Sequence, residues 1–164
     1  MRLRTLVPWL AFAVALAALL AGRSDDSHAG PLHGRVVRVA DGDTITVRLE
    51  GGRTERVRYI GVDTPESVKP DTPVQCFAKK ASHFNAALVA DRAVTLRTDA
   101  EERDRYGRLL AYVYADGRFV NRELVARGYA RTLTIPPNVA HADEFARLAR
   151  RAREAGAGLW SACE

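Results

Sequence analysis

Apolar residues recur at every second position over two early stretches, first at Val37 and Val39 and then at Ile45, Val47 and Leu49, with Asp41-Gly42 between them. A period of two is the pattern of a half-buried strand, and an Asp-Gly pair between two such runs marks a hairpin turn. Gly51-Gly52 supplies the next turn and Arg56 to Val62 a third strand, so the pattern predicts a three-stranded antiparallel meander. The period then changes. Between Val74 and Ala90, Phe77, Ala78, Ala81, Phe84, Ala87 and Leu88 recur at helical spacing and predict an amphipathic helix packed on the sheet. Val94 to Thr98 and Leu109 to Ala115 read as two further strands. Asp116-Gly117 then turns the chain into a short helix with Asn121 as its cap and Gly128 as its stop. A last helix is expected over roughly 140–155, with Phe145, Leu148 and Ala152 inward beneath an Arg-rich outer face and Gly156 at its end.

Three strands, a helix, two strands and then helices predict an α+β fold that is mainly β, a five-stranded barrel of the OB-fold plan with about three helices. A chain of 164 residues has room for one such domain with a real core. Residues 1–29 differ from everything after them: Arg2 and Arg4, an apolar run from Leu6 to Gly22, a polar segment, then Ser27-His28-Ala29. This is the pattern of a secretory signal with cleavage before Gly30, which leaves residues 30–164 as the functional domain in a periplasmic or extracellular location. The competing reading is an uncleaved membrane anchor, against which stand Pro8 and a run shorter than the roughly 20 residues a span needs.

Loss of residues 1–29 removes Arg2, Arg4 and Arg23 together with Asp25 and Asp26, which takes the formal charge from +5 to +4. A basic balance favours an acidic polymer as partner, weakly by itself. The two cysteines, Cys76 and Cys163, both lie in the exported part, where an oxidising compartment lets them pair. Such a bridge ties the start of the first helix to the C-terminus, and the spacing fits no zinc pattern.

Candidate chemistry concentrates in three short segments. An Asp in a hairpin turn is ordinarily a turn residue, as its side chain accepts local backbone hydrogen bonds. Asp43 gains meaning beside Asp63, because two carboxylates, a backbone carbonyl and water make a shell for a hard cation such as calcium. Asp63-Thr64-Pro65-Glu66 resembles a helix start, but Pro70 and Pro73 prevent a long helix, which leaves these residues on a loop beyond a strand end. Arg58 and Asp63 are five residues apart, so strict alternation points them to opposite faces unless Gly61 bends the strand. Arg58 and Arg108, each an ordinary surface charge alone, together supply two planar forks suited to a phosphate.

Taken in order, the Asp41-Gly42-Asp43-Thr44 turn, Arg58 leading to Val62-Asp63-Thr64-Pro65-Glu66, Tyr106-Gly107-Arg108 and Leu110-Ala111-Tyr112 before the Asp-Gly turn resemble the staphylococcal nuclease family, from about Gly34 to Trp160. The resemblance implies an OB-fold nuclease that hydrolyses DNA or RNA with Ca2+ and leaves 3′-phosphate ends. It implies that Asp43, Asp63 and the Thr64 carbonyl hold the ion, that Arg58 and Arg108 grip the scissile phosphate, and that Glu66 acts on the attacking water. Arg105 and Tyr106 fall where the family contacts a nucleotide phosphate, and Asp41 at a supporting acidic position. The chain departs from the family after Gly128-Tyr129-Ala130-Arg131, where many relatives carry base-stacking tyrosines and this chain has Thr132 to Pro137, leaving Tyr129 as the aromatic to compensate. No obligate protein partner is implied, and a monomer is expected. The alternatives are a non-catalytic OB-fold module that binds nucleic acid or protein, and a disulfide-stapled structural protein whose basic face is merely solvated.

Overall fold

The computed structural model describes residues 30–67 and 73–163. The expected signal segment lies outside the described residues. Among those described, no helix is long and apolar enough to cross a membrane.

Strands β1 (Leu32–Val39), β2 (Thr44–Leu49) and β3 (Thr54–Tyr59) form the antiparallel meander that the alternating pattern predicts. β1 pairs on its other side with β5 (Ala93–Arg97), which pairs with β6 (Leu109–Ala115). β6 then runs parallel to β3, with Val57 opposite Leu109 and Arg58 opposite Leu110, and the sheet closes. The result is a five-stranded, mainly β barrel of OB type, and closure removes the edges that would otherwise be left unpaired. Its interior is filled by Val36, Ile45, Val47, Val57, Leu96 and Val113, all buried. β7 (Arg118–Phe119) extends β6, and the helices among the described residues are, in chain order, α1 (Ala78–Val89), α2 (Val120–Ala126), α3 (Ala142–Glu154) and the short α4 (Leu159–Ala162).

Four details differ from the sequence pattern. Val37 is 42% exposed, while Val36 faces the core. The register between β1 and β2 slips between Val36 and Arg38, a β-bulge whose extra residue reverses the facing of the rest of the strand. The expected third strand is broken after Tyr59, and its second part, β4 (Gly61–Asp63), leaves the barrel to pair with β8 (Arg131–Leu133). Gly61 permits this: its φ is +78°, and a Cβ there would lie 2.6 Å from the Phe145 ring of α3. Asn121 lies inside α2 and caps nothing. It is buried, accepts the Val113 amide at 2.9 Å and donates to the Ile60 carbonyl at 2.8 Å, so it satisfies backbone groups freed where β3 ends. Finally, α1 begins at Ala78, later than the apolar series, after Phe77 at φ +69°.

Cys76 and Cys163 form a disulfide that joins the approach to α1 to the residue after α4.

Candidate active site

The Asp41-Gly42-Asp43 turn between β1 and β2 is shaped by what packs on it. A Cβ on Gly42 would lie 2.6 Å from Thr64 Oγ1, so only glycine lets the loop after β4 approach this closely. Asp43 Oδ2 accepts both the Thr64 amide, at 2.8 Å, and the Thr64 hydroxyl, at 2.9 Å. The turn is anchored from beneath by Asn85 of α1, which donates to the Asp41 carbonyl and accepts the buried Tyr59 hydroxyl, both at 2.9 Å. Asp43 is thereby only 6% exposed yet ion-paired: Arg58 Nη1 touches its Oδ1, and Arg58 Nη2 reaches Asp63 Oδ1 at 2.9 Å. The bend at Gly61 turns Asp63 back toward Arg58, as the five-residue spacing requires.

Crowding of carboxylates sets the electrostatics. Burial and then the Asp43 charge push the Asp41 carboxyl up to about 6. Burial also raises Asp63; Arg58 opposes the rise, while Asp43 and Glu66 add to it, so Glu66 belongs to the same electrostatic neighbourhood. The half-buried Glu66 is fixed through its backbone, its amide donating to Gln75 Oε1 at 2.9 Å and its carbonyl accepting the Gln75 amide at 3.0 Å. Arg58 Nη1 is buried against Asp43 Oδ1, so the ion pair fixes the guanidinium plane between the two carboxylates.

Arg108 arrives from the start of the neighbouring strand, β6. The parallel β3–β6 register sets Leu110 opposite Arg58, which brings the loop before β6 beside β3. Asp104 organises that loop: it accepts the Tyr106 amide at 2.9 Å, the Arg108 amide at 3.0 Å and Arg108 Nε at 2.6 Å. Burial pushes the Asp104 carboxyl up, and these hydrogen bonds together outweigh it and leave it below its ordinary value. Arg58 and Arg108 line one cavity of about 440 Å³ with Arg105, Tyr106, Leu133 and Ile135. Arg105 donates to the Tyr106 hydroxyl at 2.7 Å, and the guanidiniums of Arg105 and Arg108 lie 4.8 and 5.5 Å from the ring centre.

Residues 56–162 match the protein family described as Staphylococcal nuclease homologue. The chain belongs to the staphylococcal nuclease family. A relative named Thermonuclease from Staphylococcus hyicus is 41% identical over 77% of this chain and 75% of its own, and the Thermonuclease of Staphylococcus intermedius is 42% identical over 76% and 74%. Endonuclease YncB of Bacillus subtilis is 41% identical over 76% of this chain and 59% of its own.

Against the family's expected site, the structure gathers Asp43, Arg58, Asp63, Thr64 and Glu66 at one end of the barrel and carries Arg105, Tyr106 and Arg108 to the cavity they share with Arg58. Tyr129 cannot replace the missing tyrosines: its ring stacks on Phe84 at 4.0 Å, within the packing of α1. Leu133 and Ile135 stand in the cavity wall instead, both exposed. Gln75 and Asn85 hold the site without having been singled out by the sequence pattern, and Asp104, the first residue of the Asp104-Arg105-Tyr106-Gly107-Arg108 segment, holds it in a role that the pattern did not give it. Asp104 lies four residues before Arg108, a spacing that signals an ion pair only once the loop is known to fold back on itself. Among the described residues, no group of three or more His, Cys, Asp or Glu side chains is placed to hold a metal ion. The expected ligand set has only two such side chains, its third member being a backbone carbonyl. All its donors are hard oxygens, and the crowded carboxylates make an excess of negative charge that a hard cation would relieve.

Proposed function

We propose that the protein is an exported, calcium-dependent nuclease that hydrolyses phosphodiester bonds of DNA or RNA and leaves 3′-phosphate ends. The observation that supports this most directly is that Arg58 and Arg108 face one cavity while Arg58 is simultaneously held by the Asp43–Asp63 carboxylates. A phosphodiester seated there meets two guanidinium forks on one side and an acidic cluster able to bind a cation on the other.

In-line attack by water forms a new P–O bond and breaks the bond to the 5′ oxygen, so the 3′ side keeps the phosphate and the departing 5′ oxygen takes a proton. Negative charge builds on the equatorial oxygens as this happens, and Arg58 and Arg108 stabilise it. Arg58 comes oriented by two carboxylates, and Arg108 is held by Asp104. Asp43, Asp63 and the Thr64 carbonyl would hold calcium, which when bound supplies a hard positive charge beside the phosphate. Glu66, with its backbone clamped by Gln75, orients the attacking water and accepts its proton. Arg105 and Tyr106 contact a neighbouring phosphate at the cavity mouth.

The test is a panel in which the purified protein is incubated with single-stranded DNA, duplex DNA and RNA, each with calcium, magnesium or chelator, and the products are analysed for their ends. Cleavage with calcium that chelator abolishes, with phosphate at the 3′ end, is expected. A strand bound but left intact would assign the fold to a binding module instead.

A further inference from the structure

We infer that the outer face of the β1–β2–β3 meander is a second, non-cleaving track for the nucleic-acid strand, made by Arg35, Arg38, Arg48 and Arg56 and leading to Arg58. This rests on the reading of the protein as a nuclease.

The register places these residues together. Arg35 stands opposite Arg48, and Arg38 opposite Thr46, which in turn is opposite Arg56. Directly paired residues of neighbouring strands share a face, and Arg56 shares its face with Arg58, two residues along β3. Arg38 is there because of the bulge; with unbroken alternation from the buried Val36, it would point into the barrel. All four side chains are exposed. Arg35 donates to the Asp91 carbonyl at 2.6 Å, and among the described residues none of the four is ion-paired, whereas Arg53, Arg92, Arg122 and Arg127 each have a carboxylate partner.

Three observations point to a polyanion as the occupant. β1 and β2 contain no acidic residue, and the single acid of β3, Glu55, is buried and engaged by Arg53 and Arg103. The arginines of α3, by contrast, share their helix with Asp143, Glu144 and Glu154. Like charges directly opposite each other destabilise a sheet, so the Arg35–Arg48 pair carries a cost in the free protein that a bound anion removes. The face is also continuous with the reaction site. From Arg35 to Arg58 is two strand spacings across and four residues along, about 17 Å, the length of roughly five stacked nucleotides. Arg35, Arg48, Val37 and Tyr114 border an open groove of about 630 Å³; of its two acids, Asp116 is paired with Arg92. A strand laid along this face would feed the scissile phosphate toward Arg58 while its distant phosphates are neutralised on the sheet.

The test uses the R35Q/R38Q/R48Q/R56Q variant. In chelator, binding of a fluorescently labelled 20-nucleotide single strand is measured by anisotropy across a salt series. The variant is expected to bind at least about tenfold more weakly at 0.1 M salt, and its log Kd against log salt should be shallower by about 0.7 for each phosphate that the sheet no longer neutralises. With calcium, kcat/KM should fall at least about tenfold on the 20-mer and stay within about twofold on a dinucleotide, which is too short to reach the track. The thermal midpoint should not fall, because repulsion between like charges is relieved; if the quadruple variant does not fold, Arg48→Gln alone carries the same salt-slope test. Equal salt slopes, or an equal loss on the long and short substrates, would overturn the track. A wild-type protein that cuts neither substrate would refute the nuclease reading, and the chelator experiment would still decide the track.

Discussion

Arg58 is asked to do two things at once: close an ion-pair bridge between Asp43 and Asp63, and face the cavity it shares with Arg108. Only a planar fork can do both, since an ammonium is a single point of charge. Arg58→Lys is therefore expected to lower kcat/KM by at least about tenfold, the equivalent of losing one charge-assisted hydrogen bond of about 1.5–3 kcal/mol, and steady-state kinetics on a defined oligonucleotide checks this. Glu66 touches the reaction through water, so Glu66→Gln should lower kcat about a hundredfold while KM changes little. Undiminished turnover in that variant would take Glu66 out of the chemistry. The backbone clamp from Gln75 does not depend on the Glu66 side chain, so the variant should keep the loop where it is.

The loop from Arg103 to Arg108 is the element on which the second guanidinium depends, and it is pinned to the barrel by a contact with no counterpart in the motif. Arg103 donates to both oxygens of Glu55 on β3, at 2.9 and 3.1 Å, and to the Gly107 carbonyl at 2.8 Å. Glu55 is 9% exposed, and the Arg103 hydrogen bond holds its carboxyl below the ordinary value of 4.5. A lowered folded value means that the pair stabilises the protein above that ordinary value and ceases to do so as pH falls through the folded one. The difference in thermal midpoint between wild type and Glu55→Gln should accordingly be full near neutrality and close on acidification below 4.5; a gap unchanged with pH would mean that the pair contributes nothing through its charge. The same pair marks the boundary of what the sequence pattern reveals. The meander, β6 and the two longer helices were legible because their apolar periods of 2 and 3.6 are local, and the site was legible because its residues cluster in short motifs. The Val36–Arg38 bulge, the departure of β4 to pair with β8, and the burial of Asn121 depend on partners 8 to 72 positions away, which no local period reports. Glu55 and Arg103 are likewise 48 positions apart, two ordinary charges until the barrel closes.

At the scale of the whole molecule, closure of β6 on β3 makes one site from segments that are far apart in sequence, and the Cys76–Cys163 disulfide guards that arrangement from outside. The bridge encloses a stretch with a sequence separation of 87 that contains α1 to α4 and strands β5 to β8. In the chain-entropy account, closing a loop of this length raises stability by about 4–5 kcal/mol by restricting the unfolded chain. For a domain of this size, each kcal/mol corresponds to about 3–5 °C, so reduction is expected to lower the thermal midpoint by roughly 12–25 °C. Cys76→Ser/Cys163→Ser should show the same midpoint with or without reductant, equal to that of the reduced wild type. The bridge also borders the site: Cys76 comes directly after Gln75, whose side chain and amide hold the Glu66 backbone, and Asp63, Thr64, Gln75 and both cysteines line one cleft. Loss of the bridge should therefore cost turnover as well as stability when both are measured well below the lowered midpoint. A double variant with the lower midpoint and unchanged kcat would confine the disulfide to the unfolded state and show that Gln75 keeps Glu66 in place unaided.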